Sequence, residues 1–171
     1  MIRTIGVDPG SRFTGYGIVE GDGFTLNHIH HGTLKLPPAR SLAERIRIIF
    51  EQITGAIREY RPEFMAVEEV FFAKNVKSAL SLGQARGAVI LAGVNSGLSV
   101  HEYSALRIKQ SVAGYGRAEK EQVTGMIKKL LRIEGGIEPN AADALAAAVC
   151  HISTHSSNIR WKIPDSHDRF S

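Results

Sequence analysis

Apolar residues recur along this chain at two different periods, and each change of period marks an element boundary. Ile2, Ile5 and Val7 form a short apolar run that stops at Asp8 and Pro9-Gly10, the pattern of a central strand buried on both faces. Phe13 to Glu20 is rich in aromatic and β-branched residues. Gly21-Asp22-Gly23 then supplies turn chemistry, and a third strand resumes at Phe24, runs to about Leu36 and ends at Pro37-Pro38. Strict alternation there puts His28 and His30 on one face and His31 on the other, which reads as a partly exposed strand face rather than a metal-ligand set. From Ser41 to Tyr60 the period lengthens. Leu42, Ile46, Ile49, Ile53 and Ile57 repeat at helical spacing, Ser41 and Glu44 form a capping box, and Arg61-Pro62 breaks the helix. Phe64 to Val67 begins another strand, which ends in Glu68-Glu69.

Asn75 or Ser78 opens a helix in which Ala79, Gly83 and Gly87 follow at four-residue steps. That small-residue row serves packing on the sheet and a subunit interface equally well. Leu98 to Tyr103 reads as a short last strand after Asn95-Ser96-Gly97. A basic helix follows, with Val123, Met126, Ile127, Leu130 and Leu131 as its buried stripe. Gly135-Gly136 separates it from a last helix that begins near Pro139 and runs through an alanine-rich stretch to Cys150. From His151 onward the polar residues have no periodicity, so a loose tail is expected.

The 171 residues, 43% hydrophobic and 22% charged, suffice for one domain with a substantial core and are too few for a second. That domain is expected over residues 1–153, with a polar tail over 154–171. Its class is α/β, with helices on both faces of a sheet. A net charge of +4 permits a polyanionic partner without requiring one. Cys150, the single cysteine, excludes an internal disulfide and fits a reducing compartment. No signal-like segment opens the chain, and the longest apolar run, Ala88 to Val94, is too short to span a bilayer. A soluble cytoplasmic protein with no membrane partner is expected.

The candidate chemistry lies in acids far apart in sequence. Asp8 and Glu68 end two strands, while Asn140 and Asp143, three residues apart, share a face of the last helix above Ala144 and Ala147. Methyl-sized side chains there let the helix lie close to the sheet and carry Asp143 to the strand ends. An Asp before Pro-Gly often does no more than start a turn. Three carboxylates buried together are another matter, because desolvation and mutual repulsion are costly unless a cation neutralises them. Magnesium suits such a set, and two ions about 3.5–4 Å apart can activate water and stabilise the leaving oxygen of a phosphodiester. Between residues 105 and 132 lie seven basic residues, among them Arg107, Lys109, Arg117 and Lys120, against Glu119 and Glu121. The loop Gly114-Tyr115-Gly116-Arg117 favours phosphate contacts. No Walker loop, nucleophilic triad or zinc-spaced Cys and His set competes. Asp8-Pro9-Gly10-Ser11 also resembles the phosphate loop of actin-like ATPases and sugar kinases, but those need two such halves and nothing here repeats.

Taken in order, several short motifs carry a more specific likeness. They are Asp8-Pro9-Gly10-Ser11 with Thr14-Gly15-Tyr16-Gly17, Glu68 followed by Val70-Phe71-Phe72-Ala73-Lys74-Asn75, Gly83-Gln84-Ala85-Arg86-Gly87, Lys109-Gln110, Ala118-Glu119-Lys120 and Ala141-Ala142-Asp143-Ala144-Leu145-Ala146. Together, from about residue 2 to 151, they resemble the RuvC family of Holliday-junction resolvases. The resemblance implies an RNase H-like fold with a five-stranded mixed sheet, and a homodimer that binds a four-way DNA junction. It also implies magnesium-dependent cleavage of two opposed strands, with two ions per site and Mn2+ as a substitute, in partnership with the RuvA and RuvB branch-migration proteins. By position, Asp8, Glu68 and Asp143 match the family's metal-binding acids. Phe71 matches an aromatic near the crossover, where stacking on an unpaired base is the physical rationale. Lys109 and Lys120 match basic residues beside the scissile phosphate. Lys74, Arg86 and Arg117 join Phe71, Lys109 and Lys120 as expected DNA contacts.

One position departs from the pattern. Asn140 stands where most relatives carry an aspartate, and some a histidine, beside the first metal. An amide oxygen can ligate magnesium but brings no negative charge. Two readings follow: an active resolvase in which Glu138 partly compensates, or a junction-binding dimer impaired in catalysis.

Overall fold

The computed structural model describes residues 1–69 and 75–161. Five strands and five helices follow in the order β1 (Ile2–Asp8), β2 (Phe13–Gly21), β3 (Leu26–Lys35), α1 (Leu42–Tyr60), β4 (Phe64–Glu68), α2 (Val76–Asn95), β5 (Ser99–Tyr103), α3 (Ala105–Ala113), α4 (Lys120–Leu131) and α5 (Pro139–Trp161). They form one mixed sheet of order β3-β2-β1-β4-β5. The two hairpin pairs are antiparallel, and β1-β4 and β4-β5 are parallel. β1 is therefore the central strand, as its apolar run predicts.

Strand alternation sorts the side chains onto two cores. Ile5 and Val7 of β1, with Met65 and Val67 of β4, pack beneath α1 and α2 among Ile49, Ile53 and Val89. On the opposite face, Val19 and Ala66 meet Leu145, Val149 and Ile152 of α5, which α3 and α4 cover in turn. Asp8 and Glu68 have the parity of Gly6 and Ala66, so both belong to the α5 face.

Glycines on that face decide how closely α5 can lie. A Cβ on Gly6 would overlap the Ala144 carbonyl, and one on Gly15 the Asn140 carbonyl. At Gly17 it would meet Leu145. The alanine face of the helix therefore rests on a glycine-paved strip of β1 and β2. The helix alanines are a clear signal in the sequence; their glycine complement went unread there.

Local signals fix the helix ends. Ser41 and Glu44 form the predicted capping box, and Arg61 closes α1 in the left-handed region at φ 49°. Asn75 rather than Ser78 caps α2, accepting from the Ser78 amide.

Four expectations need correction. A β-bulge between Ile18 and Val19 pairs Ile18 with His30 and Val19 with His28, which leaves Ile29 as the extra residue. Alternation is broken there, so His28 and His31 share a face and their rings meet at 2.7 Å. His30 turns the other way and stacks on Tyr60. Secondly, Met126 and Leu130 of α4 lie outward; only Val123, Ile127 and Leu131 form its buried stripe. The third concerns α2. Gly83 and Gly87 face open space, and Ala85, Ala88, Val89 and Ala92 make the buried face instead. The small-residue row is therefore not packed on this chain's own sheet. Finally, the expected tail from His151 is helix as far as residue 161, with His151 and Ile152 fully inside. A polar residue at helical spacing can be buried when an aromatic partner meets it, and Tyr103 Oη does so at 2.8 Å from His151 Nδ1.

Candidate active site

The parallel register of β1 and β4 pairs Val7 with Val67, so the next residue on each strand, Asp8 and Glu68, emerges at the same edge of the sheet. Asp8 stands opposite Gly15 on β2, and α5 crosses Gly15 at Asn140. These two approaches, one through sheet register and one through the missing Cβ, bring residues 132 positions apart into contact: Asn140 Nδ2 donates to Asp8 Oδ2 at 3.1 Å. One turn further along α5, Asp143 Oδ2 accepts from Lys120 Nζ at 2.6 Å. Lys109 of α3 joins Lys120, Glu68 and Asp143 around a cleft of about 260 Å³ floored by Ile108, Val123 and Ala146. The structure thus gathers Asp8, Glu68, Asn140, Asp143, Lys109 and Lys120 at one end of the sheet.

Electrostatics show what this arrangement demands. Burial pushes the Asp8 carboxyl up to about 6; the Asn140 hydrogen bond opposes this and the charge of Asp143 adds to it. Glu68 is pushed up to about 7, again chiefly by burial and then by Asp8 and Asp143, with Lys120 and Lys109 pulling the other way. Burial works against the Lys120 ammonium, but the bond and charge of Asp143, with Asp8 and Glu68 beyond, raise its pKa on balance. Each acid therefore disfavours ionisation of the next, and two lysines offset only part of that.

The donors are oxygens throughout, which fits a hard divalent cation such as magnesium and not a thiolate- or imidazole-seeking metal. Asp8, Glu68 and Asp143 would hold it, with the Asn140 amide oxygen as a neutral fourth donor. Among the described residues, no three acidic, histidine or cysteine side chains converge as a ready-made cage. Of the four candidates, Asn140 is bonded to Asp8, Asp143 is bonded to Lys120, and Glu68 stands beside them.

Other expected residues lie apart. Arg86 is committed to Glu102 at 2.5 Å; it does not line the acid cleft. Arg117 is exposed in the loop before α4. Phe71 and Lys74 lie outside the described residues. Glu138 is tied to Lys35 at 3.0 Å, and that ammonium lowers its pKa; it does not compensate for the neutral Asn140. Tyr103, the register partner of Glu68, went unread in the sequence because its hydrogen-bond partner, His151, is 48 residues away.

The sequence profile described as "Crossover junction endodeoxyribonuclease RuvC" matches residues 4–151. A protein of that name from Geobacter metallireducens is 52% identical over 153 residues, 90% of this chain and 93% of its own. Among solved structures, the RuvC of Thermus thermophilus superposes with a TM-score of 0.83 at 34% identity, covering 92% of this chain and 97% of its own. The same protein in complex with Holliday junction substrate gives 0.87 at 32% identity, with the same coverage.

Proposed function

The chain belongs to the RuvC family of crossover junction endodeoxyribonucleases, an α/β family with the RNase H-like fold, and from that premise we propose how its own residues carry out the reaction. It is an enzyme that resolves four-way Holliday junctions by hydrolysing phosphodiesters during recombination and repair. Asp8, Glu68, Asn140 and Asp143 serve as the magnesium site, with two ions per site and Mn2+ as a substitute. The observation that carries this reading is the convergence of half-buried carboxyls from two strand ends and α5 beside two lysines.

A bound divalent cation supplies neutralisation of the acids and Lewis-acid polarisation of phosphate and water. The chain contributes the rest. Asp8 and Glu68, fixed on adjacent strands, would hold that cation at the strand ends, where it would neutralise the scissile phosphate beside the attacking water. Lys120 shifts between Asp143 and the phosphate, placing an ammonium where negative charge develops, and Lys109 does the same from α3. The product carries a 5′-phosphate and leaves a nick that a ligase can seal. Phe71, Lys74 and Arg117 complete the DNA surface, with Arg86 acting through its Glu102 pair.

The working unit is a homodimer, because a four-way junction has approximate twofold symmetry and two opposed strands are cut. The outward stripe of α2 supports this: Val76, Leu80, Leu91 and Val94 are each more than half exposed, and Gly83 and Gly87 between them have no neighbour within 4 Å. No described helix is long and apolar enough to cross a membrane. We place the enzyme in the cytoplasm with RuvA and RuvB as partners.

The test is incubation of a labelled synthetic four-way junction with magnesium. Cleavage by this sequence and its loss in Asp8→Asn, with binding retained, is the expected result. The competing reading, a junction-binding dimer impaired in catalysis, draws on the Asn140 amide bonded to Asp8. A shifted junction that is never cut would establish it.

A further inference from the structure

A second cleft, about 560 Å³, lies between α3 and the C-terminal half of α5, on the opposite side of α3 from the acid cleft. Hydroxyl, amide and guanidinium groups line it beside the apolar Leu106, and Arg107 is its one cation among the described residues. Arg107, Gln110, Ser153, Thr154, Ser157 and Asn158 face into it, and no carboxylate of the described residues lines it. The guanidinium of Arg107 is pre-positioned: it lies 5.8 Å from the centre of the Tyr103 ring and reaches Thr154 Oγ1 at 3.5 Å. Among the described residues, no carboxylate forms an ion pair with it. An open groove of hydroxyl and amide donors around an unneutralised arginine has the chemistry of a phosphodiester backbone site, where such groups position DNA without reading its sequence.

We infer that this cleft is a second phosphate site, which grips the backbone of a junction arm while the scissile phosphate occupies the acid cleft. The inference rests on the functional reading above and adds a site to it. α3 joins the two clefts: Ile108 and Lys109 face one, Leu106 and Arg107 the other. A helix with side chains is about 10–12 Å across, so the gripped phosphate lies within a few nucleotides of the cut. The helical extension of α5 beyond His151 builds half of this site.

Binding of a labelled four-way junction, with the metal chelated so that nothing is cut, tests it in the full-length protein. Arg107→Gln should weaken binding about fivefold to tenfold at 0.1 M salt, and the slope of log affinity against log salt should become shallower by about one. Arg107→Lys should keep the slope. A neutral methylphosphonate within a few linkages of the scissile position should weaken the unaltered protein but cost Arg107→Gln nothing further. Unchanged affinity in Arg107→Gln, or additive effects of the variant and the neutral linkage, would overturn the inference while leaving junction cleavage intact. Failure of the unaltered protein to bind the junction would instead bring down the functional reading and this site with it.

Discussion

At the scale of single residues, the acids are strained by design of their surroundings. A folded pKa raised above the unfolded value means that the native state binds more protons than the unfolded chain between about pH 4 and 7. Stability from these groups is therefore present at low pH and lost as pH rises through about 6 for Asp8 and 7 for Glu68. Without divalent metal at pH 8, Asp8→Asn or Glu68→Gln should raise stability by about 1–2 kcal/mol, a Tm gain of roughly 2–6 °C by calorimetry. The same variants should lose most of the stabilisation that added magnesium gives the parent. Asn140→Asp should do the opposite: it replaces the amide donor to Asp8 with a fourth carboxylate in the site, lowering the metal-free Tm while cutting labelled junctions faster in magnesium. Cleavage at limiting magnesium should climb between pH 6 and 8 as Asp8 and Glu68 ionise, and the midpoint should move down as magnesium is raised. A pH-independent rate would remove these carboxyls from the reaction.

His151 works in the other direction. Burial, then the neighbouring His101 and His155, lower its pKa to about 4, so its contribution is complete above about pH 6.5 and disappears as pH falls through 4. His28, His31 and His101 are shifted the same way, so denaturant titrations of the parent against His151→Phe isolate this term; the parent should lose up to about 3 kcal/mol relative to the variant between pH 6.5 and 4.

Among elements, the decisive contact is α5 on β1 and β2. It rests on backbone approach, not on side-chain fit, so it is intolerant of even one methyl group. Gly15→Ala should cost about 3 kcal/mol or more and displace Asn140 from Asp8, seen as a cooperative loss of Tm and of cleavage together. Ser41→Ala offers the contrasting case: it removes only the capping box of α1 and should cost about 1 kcal/mol with cleavage unaltered. Boundaries carried by local chemistry, such as Ser41, Arg61-Pro62 and Asn75, were legible in the sequence. The bulge at Ile29 was not, since nothing in the β3 residues shows that β2 pairs with a residue skipped.

For the whole molecule, the proposed homodimer would bring two sites to one junction. Leu80→Glu with Leu91→Glu places charges on the outward stripe of α2, which covers the sheet face opposite α5. The pair should yield a monomer by light scattering and junctions nicked on one strand in place of paired, symmetric cuts. A double variant that remains dimeric would assign the stripe another role.

The sequence by itself determined the element order apart from α3, which it did not separate from the basic helix, together with the central strand ending in Asp8, the second acid at Glu68 and the placing of Asn140 and Asp143 on one helical face. Each of these follows from a periodicity or a cap that acts within a few residues. Tertiary structure alone decided that Asn140 donates to Asp8, that Lys120 occupies Asp143, that Glu138 is drawn off by Lys35 and that Arg107 opens onto a cleft of its own. Those outcomes depend on which chain segments meet once α5 lies on the glycine strip. Contact between residues more than a hundred positions apart is set by packing of the whole fold, about which no local pattern carries information.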